Sequence, residues 1–133
     1  MANRPFPIDF RTLKADTRPR RWLVLPPQFD AAETPDQISP VFALSAPALM
    51  AAFGEVALAA PRTALVREGE GQAEYVQRSR VFRFPDYITV QAFEQGGGAA
   101  LAIYSRAVIG YSDIGVNRKR IQGWLAALEQ ASG

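Results

Sequence analysis

Neither cysteine nor histidine occurs among the 133 residues. The first absence removes disulfides, zinc–thiolate sites, iron–sulfur clusters and thiol nucleophiles. The second removes the commonest general base and the commonest transition-metal ligand. Serine–histidine–aspartate hydrolysis is thereby excluded within this chain. Carboxylates remain able to hold a hard cation, but Asp and Glu are scattered and show no calcium-loop spacing. Net charge is small as well. Fifteen Lys and Arg against 13 Asp and Glu give +2, weak grounds for nucleic-acid or membrane binding. The pI of 9.3 overstates the basicity, because few groups titrate between neutral pH and that value. Long hydrophobic runs are missing too, and Trp22–Pro27 is far too short to cross a bilayer. The chain is expected to be soluble and cytoplasmic, or periplasmic or membrane-associated if a leading segment has been removed.

What is present is ordinary globular composition, 48% apolar and 21% charged. A 14.6 kDa chain suits a single domain. Surface scaling expects roughly 6,900 Å² folded against about 21,000 Å² unfolded, enough burial to dispense with metal or disulfide staples. Arginine supplies 13 of the 15 cations. That bias favours fixed, planar pairing with carboxylate or phosphate, and it is also what a GC-rich genome produces.

Seven of the ten prolines fall in residues 1–40, so this segment is predicted to be extended and irregular, packed on a domain formed by residues 41–133. Two short apolar runs, Ile8–Leu13 and Trp22–Leu25, pin it through Phe10 and Trp22, with a short edge strand at 22–25. A helix is predicted over 45–59, with Ser45 as N-cap, Pro47 in the first turn and Pro61 as the stop. Leu49, Met50, Phe53, Val56, Ala57 and Ala60 recur at helical spacing along it. Strands follow at Thr63–Arg67, Ala73–Phe84, Tyr87–Glu94 and Ala99–Ile109. They are joined by turns at Glu68-Gly69-Glu70-Gly71, Pro85-Asp86 and Gln95-Gly96-Gly97-Gly98. A last helix over 117–130 carries Ile121, Trp124, Leu125 and Leu128 at i, i+3, i+4 and i+7. The expected fold is α+β, a two-layer sandwich in the order α-β-β-β-β-α with an antiparallel four-stranded meander.

Residues Ile103–Arg120, IYSRAVIGYSDIGVNRKR, stand apart. Ser105, Arg106, Gly110, Asp113, Gly115, Asn117, Arg118 and Arg120 fit a pattern in which a strand ends in Ser-Arg and Gly-x-x-Asp-x-Gly-x-Asn-Arg-x-Arg opens a helix. Upstream, Ser39-Pro40-Val41, Pro61-Arg62, Arg78-Ser79 and Phe84-Pro85-Asp86 match in order. In these features the chain resembles a bacterial and plastid family catalogued as domain of unknown function 1499, over roughly residues 35–130. Many members carry a cysteine-containing segment near the N-terminus, where this chain has Leu25-Pro26-Pro27. The resemblance implies a fold and no agreed activity.

The residues also have a reading of their own. Gly110 and Gly115 flank a turn that suits φ > 0, and Asp113 and Asn117 are both able to cap a helix start. Arg118, Lys119 and Arg120 place three cations where a helix already carries about half a positive charge, an arrangement that asks for a nearby anion. Two explanations stand. Asp113, with Asp86 or Glu94 folded nearby, neutralises the cluster and locks turn to helix. Alternatively, Arg106, Arg118 and Arg120 receive an external phosphate or carboxylate. Arg78 and Arg80, two apart on one predicted strand, share a face that Arg106 joins in a suitable register, the other reading being a solvated sheet face.

The candidate anion-binding set is therefore Arg78, Arg106, Asp113, Asn117, Arg118 and Arg120. The function expected is a non-enzymatic binding or accessory domain for a small anionic ligand or a protein partner, with no cofactor and no metal. Tyrosines and tryptophans form no array, so no nucleic-acid partner is expected. The alternative is a small enzyme using Asp113 as acid or base beside arginines, with Tyr104 or Tyr111 assisting. An Asp held at a helix start among arginines is stabilised in its charged form, which counts against catalysis. A third reading, a structural partner in a membrane-associated complex, would be marked by an exposed apolar patch.

Overall fold

A computed structural model describes residues 4–132. Its elements are β1 (Arg21–Leu25), β2 (Gln37–Ile38), β3 (Val41–Phe42), α1 (Ala46–Ala59), β4 (Thr63–Gly69), β5 (Gln72–Arg78), β6 (Pro85–Gln95), β7 (Gly98–Ala107) and α2 (Val116–Ser132). The fold is α+β, and the sheet is larger than the expected four-stranded meander. Strands β4 to β7 do form consecutive antiparallel pairs, but the sheet has seven strands in the order β2-β1-β7-β6-β5-β4, with β3 also paired to β7.

The extra strands come from the proline-rich N-terminal part. β1 runs antiparallel to β7, with Trp22 opposite Ser105 and Val24 opposite Ile103, and β2 lies parallel on its other side. β1 is therefore an interior strand and not the edge strand the sequence predicts. Leu23, Val24 and Leu25 are almost wholly buried. Prolines do not forbid this, because Pro19, Pro26 and Pro27 lie just outside the strand and remove none of its ladder donors.

The sheet separates two apolar clusters by strand alternation. Val24, Leu101 and Ile103 pack with Leu49, Phe53 and Ala57 of α1 and Ile121, Trp124, Leu125 and Leu128 of α2. Leu23, Leu25, Ala102 and Tyr104 point the other way, where Ile8, Phe10 and Ala15 cover them. With both faces covered, all ten residues of β7 are buried.

The helices begin and end as the sequence predicts to within two residues. Ser45 Oγ accepts from Ala48 N at 3.2 Å and Glu94 accepts from Ala46 N at 2.9 Å, satisfying donors at the α1 start. Two hairpins close through two-residue loops whose residues all have positive φ, Glu70-Gly71 and Gly96-Gly97, the geometry that matches strand twist. The predicted strand Ala73–Phe84 stops early, at Arg78. Ser79 closes a separate loop there, its N–H donating to Phe84 O and its Oγ accepting from Phe84 N, both at 2.9 Å. Arg83 completes the turn at φ 61°. Arg80 thus sits in the loop and shares no strand face with Arg78.

Candidate functional site

One end of the sheet gathers the start of β4, the β5–β6 loop, the end of β7 and the start of α2, because Thr63 pairs with Gln77, Arg78 with Pro85 and Asp86 with Ala107. The β7–α2 connection turns through Gly110 (φ 86°), Ile114 (φ 55°) and Gly115 (φ 80°). Asp113 holds that turn. Its carboxylate accepts from Gly115 N at 2.9 Å, Asn117 N at 2.9 Å and Asn117 Nδ2 at 2.8 Å, pairing backbone donors that a helix start leaves open.

Asn117 is fully buried and joins four parts of the chain. Its Oδ1 accepts from Ser105 Oγ and Arg120 Nη1, each at 2.6 Å. Its Nδ2 donates to Arg20 O at 3.2 Å and Asp86 Oδ2 at 3.3 Å besides Asp113. Arg120 completes the knot, donating to Asp86 Oδ2 at 3.0 Å, Ser105 Oγ at 3.2 Å and Gln77 Oε1. Asp86 thus supplies an anion to the cationic helix start, whereas Glu94 serves α1 at the far end of the sheet.

The six residues singled out from sequence divide. Arg78, Asp113 and Arg120 line one open cleft of about 320 Å³, with Arg62, Ser79, Phe84 and Asp86 among its other walls. Asn117 braces it from below. Arg118 points into a neighbouring cleft, its guanidinium 5.2 Å from the Trp22 ring centroid. Arg106 lies across the sheet from Ser105 and joins neither cleft. It donates to Thr89 Oγ1 at 2.8 Å and Tyr104 O at 2.9 Å and lies 3.6 Å from Glu74, and its burial pushes the guanidinium pKa down.

Glu74 is a site the sequence reading passed over. Its side chain is wholly buried, and Arg4 Nε (3.0 Å), Arg67 Nε (2.8 Å) and Arg106 surround it. Burial pushes its carboxyl up, but the hydrogen bonds and charges of Arg4 and Arg67 outweigh that and hold it below its usual value. A strand alternation with one acid on an inward position was the available signal, yet its partners come from residues 4, 67 and 106, which no local pattern connects.

Within the cleft, Arg62 and Arg78 differ from Arg120. Among the described residues no carboxylate lies within 4.0 Å of either, and their side-chain hydrogen bonds go to backbone carbonyls, Arg62 Nε to Arg78 O at 2.9 Å and Arg78 Nη1 to Arg83 O at 3.2 Å. No group of three or more acidic side chains able to hold a metal occurs among the described residues. The arrangement offers two guanidiniums beside a fixed polar wall, suited to holding an anionic group.

A sequence model of a family described as "Protein of unknown function (DUF1499)" matches residues 21–128, most of the chain. No curated protein matches it.

Proposed function

The chain belongs to the DUF1499 family, and from that footing we propose that it is a non-enzymatic binding domain whose cleft receives the anionic group of a small ligand or of a protein partner. One observation carries the reading. Arg62, Arg78, Ser79, Phe84, Asp86, Asp113 and Arg120, from separated segments, line one cleft, and among the described residues no carboxylate lies within 4.0 Å of Arg62 or Arg78. A phosphate or carboxylate between these two guanidiniums would replace the missing counter-charge without breaking the Asp86–Arg120 pair.

The rival reading, an enzyme built on Asp113, has less support. Three donors already occupy that carboxylate, and Tyr104 is turned to the other face, where its hydroxyl accepts from Asp16 N at 2.8 Å. These engaged groups give the enzyme reading less support than the two guanidiniums give the binding reading.

Thermal melting with inorganic phosphate, small carboxylates and nucleotides tests the proposal. A true ligand at 100 times its Kd adds about 2.7 kcal/mol to wild type. The Arg62→Ala/Arg78→Ala variant should lose that increment, measured from its own unliganded melting temperature. Equal stabilisation of wild type and variant by every anion would sink the cleft as the site.

A further inference from the structure

The same end of the molecule carries a cluster of apolar side chains that the core does not use. Val81 and Phe82 in the β5–β6 loop are 71% and 74% exposed, and Tyr111 and Ile114 in the β7–α2 loop are 70% and 92% exposed. Phe84, Val108, Ile109 and Val116 add partly exposed surface between them. The β6–β7 register brings both loops to one rim, and Phe84, Ile109 and Val116 meet in one cleft wall.

These side chains are held out, not left over. Phe82 and Phe84 stack with ring centroids 5.4 Å apart, and the paired bonds between Ser79 and Phe84 close the loop beneath them. Ile114 occupies left-handed backbone at φ 55°, a conformation that a β-branched residue adopts only at a cost, and Asp113 braces the turn that imposes it. Core packing gives no reason for an isoleucine there.

Charge identifies what the rim faces. Arg62, Arg78, Arg80, Arg83, Arg118 and Lys119 flank the apolar tips, and among the described residues none has a carboxylate within 4.0 Å. The carboxylates at this end are already engaged. Asp16 pairs with Arg20, Asp36 with Arg21, Asp86 with Arg120, and Asp113 with the α2 start. Apolar and aromatic tips on two separate loops, collared by cations with long apolar stems, fit the boundary between acyl chains and acidic headgroups.

We infer that the β5–β6 and β7–α2 loops form a docking face for an anionic lipid surface. Val81, Phe82, Tyr111 and Ile114 enter the interface, while Arg80, Arg83, Arg118 and Lys119 meet lipid phosphates. This stands apart from the cleft proposal, because insertion depends on loop tips that line neither cleft.

Co-sedimentation of the full chain with vesicles tests it, comparing phosphatidylcholine alone with phosphatidylcholine–phosphatidylglycerol mixtures. Binding should require the anionic lipid and weaken as salt rises. Phe82→Ser/Ile114→Ser should lower the partition coefficient by at least about tenfold while the variant keeps a cooperative melting transition. Ile114→Gly should weaken vesicle binding while raising stability, a split that a purely structural role would not produce. Inorganic phosphate at cleft-saturating concentration should leave vesicle binding in place at constant ionic strength. Loss of binding to phosphate would assign the headgroup to the cleft and overturn insertion. So would failure to bind anionic vesicles at low salt, or unchanged binding by Phe82→Ser/Ile114→Ser. An acidic protein partner lost by the same variant without any lipid binding would also overturn it.

Discussion

Asp113 commits both carboxylate oxygens to the start of α2. Asp113→Asn would turn an amide toward donors, and the loss of the cap should lower stability by about 1 kcal/mol, a fall in melting temperature of about 4 °C. Glu74 has a larger effect, because three arginines converge on it out of water. Glu74→Gln leaves those guanidiniums without a counter-charge and should cost about 3 kcal/mol or more in urea unfolding. The same carboxyl makes the fold acid-sensitive. Its pKa is held below the usual 4.5, and that of Asp16 below 3.8, where backbone and Arg20 hydrogen bonds outweigh burial. The unfolded chain therefore binds more protons in acid. Stability from these groups is complete above roughly pH 5 and is lost as pH falls through the folded-state values. Urea midpoints measured against pH should show that fall, and Glu74→Gln should flatten it.

At the scale of elements, the helices were legible because each carries its own signal. Ser45 and Pro61 bracket α1, and the stripe Ile121, Trp124, Leu125 and Leu128 of α2 is the face that packs. Strand limits were less so. The β-type run through Ala73–Phe84 has no local stop at Arg78, and the break comes from Ser79 bonding across the loop. Glycines separate by the same test. Gly98 lets β3 approach β7, since a Cβ there would stand 2.0 Å from Phe42 O. Gly98→Ala should cost about 1–3 kcal/mol, whereas Gly123→Ala, on the exposed side of α2 with nothing within 4 Å, should stabilise by about 0.5–1 kcal/mol. Thermal melts of the two variants give shifts of opposite sign.

For the whole molecule, the covering of the sheet's second face by residues 8–15 matters most. Phe10 is 2% exposed against Leu23, Leu25, Ala102 and Tyr104. Phe10→Ala should destabilise by about 3 kcal/mol and raise hydrogen exchange along β1, a far larger effect than a loosely attached segment would give.

The sequence by itself determined the α+β class, both helices with Ser45 and Asp113 at their starts, the four consecutive antiparallel strands and the family. Asn117, which it also offered as a cap, instead lies within α2 and bonds Ser105 and Arg120. It excluded thiol and imidazole chemistry, and it singled out the Asp113–Arg120 segment. These are properties of composition or of spacing within about twenty residues. Tertiary structure decided what depends on register and on distant partners. It made β1 an interior strand, sent Arg106 across the sheet to Glu74, and brought Arg62 and Arg78 together with Asp113 and Arg120 at one rim. A strand's periodicity says which residues share a face, but not which face is covered or by what. That information lies in contacts between positions far apart in the chain, and folding alone supplies it.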